Sequence, residues 1–208
     1  MAYYIRENDI LFLLERHAMK NTEQKYYEMT IAGCVRHLPI CPLNDKLSIA
    51  GFVIFGDPEL TGCCARDLLA KAPEYDYIIT AESKGIPLAY EMARQHGDSK
   101  YFVARKATKL YMIDVFDVAV RSITTDHIQH LYLDGPDARS MNGKRILIID
   151  DVISTGESLR ALETLVTEAG GVICGRMAIL AEGEAADRKD IAFLEKLPLF
   201  TPDGTPIG

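Results

Sequence analysis

The chain has 208 residues, 48% of them hydrophobic, and a formal net charge of −7. That length and apolar content are enough for one substantial core, and the acidity argues against sequence-independent nucleic-acid binding, which depends on basic patches. No apolar run approaches a bilayer-crossing length and no secretory signal opens the chain. The five cysteines, without a Cys-x-x-Cys pair or clustered histidines, predict free thiols in a reducing cytoplasm rather than disulfides or a zinc site.

In chain order, residues 7 to 19 read as a helix with Ile10, Leu13, Leu14 and His17 on one face. Residues 26 to 55 read as short strands broken at Pro39, Pro42 and Gly51, and Pro58 to Ala70 as a helix with Leu60, Cys64, Leu68 and Leu69 facing in. The adjacent Cys63 and Cys64 fall in this helical pattern, where small buried residues are the better reading. Tyr77 to Thr80 is an apolar strand leading into Ala81-Glu82-Ser83-Lys84-Gly85. Pro87 then sits in the first turn of a helix carrying Leu88, Met92 and Ala93. Tyr101 to Ala104 is a further strand, ending in Arg105, Lys106 and Lys109.

Residues 111 to 134 hold β-formers on either side of a turn at Thr124-Thr125-Asp126, and Asp134-Gly135-Pro136 turns the chain back. Next comes Arg145-Ile146-Leu147-Ile148-Ile149-Asp150-Asp151, a buried strand ending in adjacent carboxylates. A loop rich in hydroxyls follows, and then a helix with Leu159, Leu162, Leu165 and Val166 at helical spacing. Gly170-Gly171 stops that helix, Val172 to Ala181 is a strand, and residues 187 to 195 form a short helix. Leu197-Pro198-Leu199-Phe200 either closes a pocket or packs on the core, and the polar tail beyond Phe200 frays. No internal repeat or low-complexity tract is present.

Three of these segments end a strand in chemistry. Backbone amides at the start of the helix after Asp151, with the positive end of its dipole, favour a phosphate. Ser154, Thr155 and Ser158 add hydroxyls, and Gly156 lets an anion approach the backbone. Asp150 and Asp151 would repel that phosphate and suit hydroxyls or a divalent cation instead. A ribose 5-phosphate satisfies both halves. The stretch is neither a Walker A loop nor a dinucleotide fingerprint, because the required lysine and glycines are missing. The Glu82-Ser83-Lys84-Gly85 turn offers amides and a lysine to a second anion, and Arg105, Lys106 and Lys109 could counter a leaving group whose charge grows. Each stretch also has a plain structural reading: a helix cap, an ordinary βα turn with a solvated lysine, and a solvated basic turn.

Ile146 to Ser158 resembles the phosphoribosyl-pyrophosphate signature of the type I phosphoribosyltransferases, and the other two segments follow that family's order. Ala81 to Gly85 resembles its pyrophosphate loop, and Arg105-Lys106-x-x-Lys109 resembles the basic stretch of the adenine-type enzymes. The resemblance implies an α/β fold with a central, mostly parallel sheet flanked by helices. It implies a single domain over 1–208, with a small hood subdomain from about 1–50 and the C-terminal segment, and a flexible β-hairpin loop at about 107–135. It makes Asp150 and Asp151 the ribose contacts and Ile153, Ser154, Thr155, Gly156, Glu157 and Ser158 the phosphate loop. Ala81, Glu82, Ser83, Lys84, Gly85, Arg105, Lys106 and Lys109 become the pyrophosphate contacts.

The implied enzyme is a pentosyltransferase of the purine type, closest to the adenine and xanthine enzymes. It would move ribose 5-phosphate from phosphoribosyl pyrophosphate to adenine or a 6-oxopurine, with Asp150, Asp151, Lys84 and Arg105 catalytic. Mg2+ would be the cofactor, held indirectly by Asp150 and Asp151, and the enzyme would be a homodimer. The segment after Lys109 departs from the adenine enzymes: it holds no Leu-Glu-Tyr-Gly run, and Tyr111 and Asp114 are the candidate proton-transfer residues. Two alternatives stay open. One is a non-catalytic regulator that senses phosphoribosyl pyrophosphate, against which the lack of a basic face in residues 1 to 36 counts. The other is an orotate phosphoribosyltransferase, whose lysine-rich loop is not visible between Met112 and Leu133.

Overall fold

The computed structural model describes residues 24–121 and 128–207; the helix expected over 7–19 and the turn at Thr124-Thr125-Asp126 lie outside them. The elements are β1 (Tyr26–Ile31), β2 (Cys34–Asn44), β3 (Leu47–Ala50), α1 (Pro58–Leu69), β4 (Tyr77–Ala81), α2 (Ile86–His96), β5 (Phe102–Ala104), β6 (Phe116–Arg121), β7 (Ile128–Leu133), α3 (Gly135–Met141), β8 (Arg145–Ile153), α4 (Glu157–Glu168), β9 (Val172–Glu182), β10 (Ala192–Leu197), β11 (Leu199–Phe200) and β12 (Pro206–Ile207).

The aliphatic run of β8 is apolar at every position because both of its faces are covered. Leu147 and Ile149 pack with Leu60, Cys64 and Leu68 of α1 and Leu88 and Met92 of α2. Ile146 and Ile148 point the opposite way, toward Leu159, Leu162, Leu165 and Val166 of α4 and Met141 of α3. β8 is the middle strand of a five-stranded parallel sheet ordered β10-β9-β8-β4-β5. The chain steps from β4 outward to β5 and then returns to place β8 on β4's other side. The winding direction therefore reverses between β4 and β8, and ligands of open α/β sheets bind outside the strand ends at such a reversal.

A second, antiparallel sheet is ordered β1-β2-β3-β11-β12 and shares the core on the α1–α2 side through Met29, Ile31, Leu38 and Phe200. Asp57 caps α1 by accepting from the Leu60 amide at 3.0 Å, and Arg36 of β2 grips Asp57 and Glu59 at 2.6–2.9 Å, which ties this sheet to the helix. β6 and β7 form an antiparallel hairpin. Its inner residues Val118, Leu131 and Leu133 are buried against α4, and Tyr132 and Arg105 exchange backbone hydrogen bonds of 2.8 Å. Among the described residues no helix is long and apolar enough to cross a membrane.

The parallel α/β sheet agrees with the expectation from sequence; four local readings do not hold. Pro39 and Pro42 lie inside β2 instead of breaking it. The first half of β2 pairs with β1 and the second half with β3, so each half has one open side on which a missing N–H is tolerated. Residues 187–195 are not a helix. A 3-10 turn over Gly183–Asp187 leads into β10, where Ala192 and Leu194 face one core and Phe193 the other, the period of a strand. The Asp134-Gly135-Pro136 turn opens a short helix, α3, with Pro136 in its first turn. The tail does not fray at Phe200: β12 pairs with β11 around a turn closed by Thr201 and Thr205.

Candidate functional site

β8 continues past the acid pair to Ile153, which shortens the following loop to Ser154, Thr155 and Gly156. Asp151 is buried at 3% exposure, and its Oδ2 lies 2.8 Å from Nζ of Lys84, which reaches across from the β4–α2 loop. Asp150 accepts the Asp151 amide at 2.9 Å. Burial pushes its carboxyl up to about 7, the neighbouring Asp151 charge adds to this, and the Lys84 charge opposes it. The two strands at the reversal point thus meet through a carboxylate pair and a lysine, an arrangement suited to hydroxyls on one side and an anion on the other.

The β4–α2 loop passes close over the acids. A Cβ at Gly85 would lie 2.1 Å from Oγ1 of Thr80 and 3.2 Å from Oδ1 of Asp150. Gly85 has an ordinary φ of −71°, so space, not backbone conformation, is what requires glycine. The Thr80 hydroxyl beneath it is fully buried and has no hydrogen-bond partner among the described residues. The peptide between Glu82 and Ser83 is cis.

Glu82 accepts from Nη1 of Arg105 and from the Lys106 amide, both at 3.1 Å, and its own amide donates to the Ala104 carbonyl at 2.8 Å. The Lys106 amide and the Arg105 guanidinium hold its carboxyl below the usual range. Its carboxylate therefore fastens the loops after β4 and β5 together, and the cations of that side are Lys84, Arg105 and the exposed Lys106 and Lys109. Of the proton-transfer candidates, Tyr111 is exposed, and Asp114 faces Arg139 of α3 at 3.5 Å.

No side chain caps α4; Gly156 stands at its cap position with φ of +78°, and the Arg160 amide donates back to its carbonyl at 2.9 Å. The loop encloses a cavity of about 110 Å³ lined by Asp150 and residues 152–159. Beside it opens a larger cavity of about 580 Å³, bounded by Ser154 and Thr155, by Glu182 at the end of β9, and by Arg188 and Leu199. Sequence reading missed Thr80, Glu182 and Arg188. Applying the strand-end rule to β9 as well as to β4, β5 and β8 would have pointed to the last two; Thr80 reads as an ordinary strand threonine.

Residues 64–197 match the model of the phosphoribosyl transferase domain. The chain belongs to this family. The matched region runs from α1 to β10, so it takes in all three strand-end loops. It leaves out β1–β3 and β11–β12. As a type I phosphoribosyltransferase the chain falls in the pentosyltransferase class of enzymes.

A hypoxanthine/guanine phosphoribosyltransferase of Methanococcus voltae is 30% identical over 159 residues, 74% of this chain and 81% of that protein. An orotate phosphoribosyltransferase of Stenotrophomonas maltophilia is 32% identical over 136 residues, 64% of this chain but only about half (53%) of that protein's length. Among solved structures, the adenine phosphoribosyltransferase of Rhodothermus marinus superposes with a TM-score of 0.58 at 20% identity, covering 88% of this chain and 99% of that one. That of Leishmania donovani superposes at 0.59 with 18% identity, covering 86% and 78%. These superpositions speak to the fold.

Proposed function

We propose that this phosphoribosyltransferase transfers ribose 5-phosphate from phosphoribosyl pyrophosphate to a purine base, adenine or a 6-oxopurine, and releases pyrophosphate. The observation that carries the reading is the meeting of Lys84 with the Asp150–Asp151 pair at the β4–β8 reversal, with a phosphate-sized cavity under the next loop. Amides and hydroxyls of residues 153–158 hold the 5-phosphate at the start of α4. Asp150 and Asp151 accept the ribose hydroxyls. Lys84, Arg105, Lys106 and Lys109, with the backbone of Ala81, Ser83 and Gly85, receive the pyrophosphate as its charge develops. Alignment and exclusion of water account for the rest of the rate. The 580 Å³ cavity beside Ser154 and Thr155 is the place for the base, within the usual size range for small-molecule sites. Its purine identity is supported by the hypoxanthine/guanine relative, whose match covers most of both chains.

Magnesium fits this donor set in one way only. Among the described residues no group of three or more metal-ligating side chains comes together, so these residues build no complete cage. Asp150 and Asp151 would share the ion with the substrate's own oxygens, the usual arrangement for magnesium with phosphates. When bound, it would neutralise the leaving pyrophosphate. The reading includes a cytoplasmic homodimer; sedimentation velocity reads the assembly state.

The deciding experiment is a base panel of adenine, guanine, hypoxanthine, xanthine and orotate. Each is given with phosphoribosyl pyrophosphate and magnesium, and pyrophosphate release is followed. Turnover with a purine is the expected result. Turnover with orotate alone replaces the purine assignment, and release with no base defeats the transferase reading.

A further inference from the structure

The phosphate loop carries no cation of its own. Residues 152–158 contain neither lysine nor arginine, and Asp150, Asp151 and Glu157 surround the loop with acids. A phosphate dianion seated there meets amide dipoles and hydroxyls on one side and carboxylates on the other. Lys84 and Arg105, the cations of the opposite loops, are engaged with Asp151 and Glu82.

One guanidinium does reach the loop, and it comes from the segment between the 3-10 turn and β10. The Arg188 amide donates to the Ala185 carbonyl at 3.2 Å, which sets the residue at the end of that turn. Its side chain is held as a fork, with Nε and Nη2 donating to the two carboxylate oxygens of Asp190 at 2.9 and 2.6 Å. The remaining nitrogen, Nη1, is not used by Asp190 and lies 2.8 Å from the position a Cβ would take at Gly156. A half-exposed Arg–Asp pair contributes little to stability; what this pair does is hold the fork with its third nitrogen beside the phosphate loop.

We infer that Arg188 is a phosphate-binding residue of this site, which reaches the 5-phosphate from the segment before β10 and selects phosphorylated over unphosphorylated ribose, with Asp190 as its positioning residue. The inference rests on the phosphoribosyltransferase reading and deepens it. The guanidinium supplies the charge-assisted hydrogen bond that the loop's own residues lack. Arg160, in the first turn of α4, lines the same 580 Å³ cavity as Arg188, beside Ser154 and Thr155, but does not come within 4 Å of that Gly156 position, and is the natural comparison.

The test is calorimetric binding of ribose 5-phosphate to the full chain and its variants, which needs neither a base nor turnover. Arg188→Gln weakens binding by about 10- to 100-fold, the span for losing one charge-assisted hydrogen bond, and flattens its dependence on salt. Arg188→Lys keeps most of the affinity, Asp190→Asn gives a smaller loss than Arg188→Gln, and Arg160→Gln changes it little. Thermal melting run alongside reports that each variant is folded. Wild-type affinity in Arg188→Gln overturns the inference, as does a loss confined to the KM for the base. A wild-type protein that binds ribose 5-phosphate but turns over no base defeats the enzyme reading and leaves Arg188 in place. One that binds no ribose 5-phosphate defeats both.

Discussion

Gly85→Ala probes the close approach of the β4–α2 loop to Thr80. The backbone of Gly85 already lies where alanine is comfortable, at φ −71° and ψ −13°, so no conformational penalty enters. The new methyl would stand 2.1 Å from Oγ1 of Thr80 and 3.3 Å from its Cβ. The first distance demands a displacement and the second only a small adjustment. Forcing a methyl into packed space costs about 1–3 kcal/mol, and the reduced freedom of the unfolded chain returns about 0.4–1 kcal/mol. A 2.1 Å contact puts the cost in the upper part of that range, so the net loss is about 1–2.6 kcal/mol, or about 2–10 °C in melting temperature for a domain of this size.

The partner substitution sharpens the test. Thr80→Ala removes the clashing hydroxyl, which has no partner to lose, so Gly85→Ala/Thr80→Ala should recover about 1 kcal/mol or more of the Gly85→Ala loss in a double-mutant cycle. Thr80→Val keeps an atom at the clashing position and should give no relief. Urea denaturation supplies the four corners of each cycle, and the KM for phosphoribosyl pyrophosphate should follow the same pattern as the loop is pushed and released. If Gly85→Ala is as stable as wild type, or if Thr80→Ala and Thr80→Val behave alike, the steric account of Gly85 is wrong.

Other perturbations probe separate parts of the molecule. The Asp150 carboxyl rises from its ordinary 3.8 to about 7 on folding, so the folded state binds the extra proton. Its presence lowers wild-type stability as pH climbs between those values. Melting curves of Asp150→Asn and wild type should therefore converge near pH 4 and separate in favour of the variant by pH 8, and parallel curves would contradict the burial argument. Asp150→Asn combined with Asp151→Asn should abolish pyrophosphate release while circular dichroism stays unchanged, and retained turnover would remove the acids from the ribose. Lys84→Met should weaken binding of phosphoribosyl pyrophosphate by about tenfold or more, the scale of a lost charge-assisted hydrogen bond, as read by titration calorimetry; an equal affinity would take Lys84 out of the anion site. Asp57→Ala loses the α1 cap and the Arg36 clasp and should cost about 1–2 kcal/mol in urea, with little effect on substrate binding.

The parallel sheet was legible because β8 announces itself: an unbroken aliphatic run needs both faces covered, and a carboxylate pair at its end marks the ligand side. The strands at β4 and β5 could be read for the same reason. What failed did so where pairing overrides local preference. Prolines 39 and 42 look like breaks until β2 is seen to change partners along its length. The polar start of residues 187–195 suggests a surface helix until the edge of β9 recruits the remainder as β10. In the candidate site, the residues of each loop could be picked out by their types, but not their engagements. The capture of Arg105 by Glu82, the orphaned hydroxyl of Thr80 and the arrival of Arg188 beside Gly156 depend on how separate loops stack over the strand ends, and no local pattern encodes that.

The antiparallel sheet draws β1–β3 from one end of the described chain and β11–β12 from the other, with the whole parallel sheet threaded between them. During synthesis β3 therefore emerges long before its neighbour β11 and waits with an unsatisfied flank until residues 199–200 have left the ribosome. Pairings of such long sequence separation form slowly, and an uncovered strand flank invites association with another chain. Truncation ahead of Leu199 should consequently yield aggregates rather than a smaller soluble protein, even though every loop of the candidate site lies upstream of the cut.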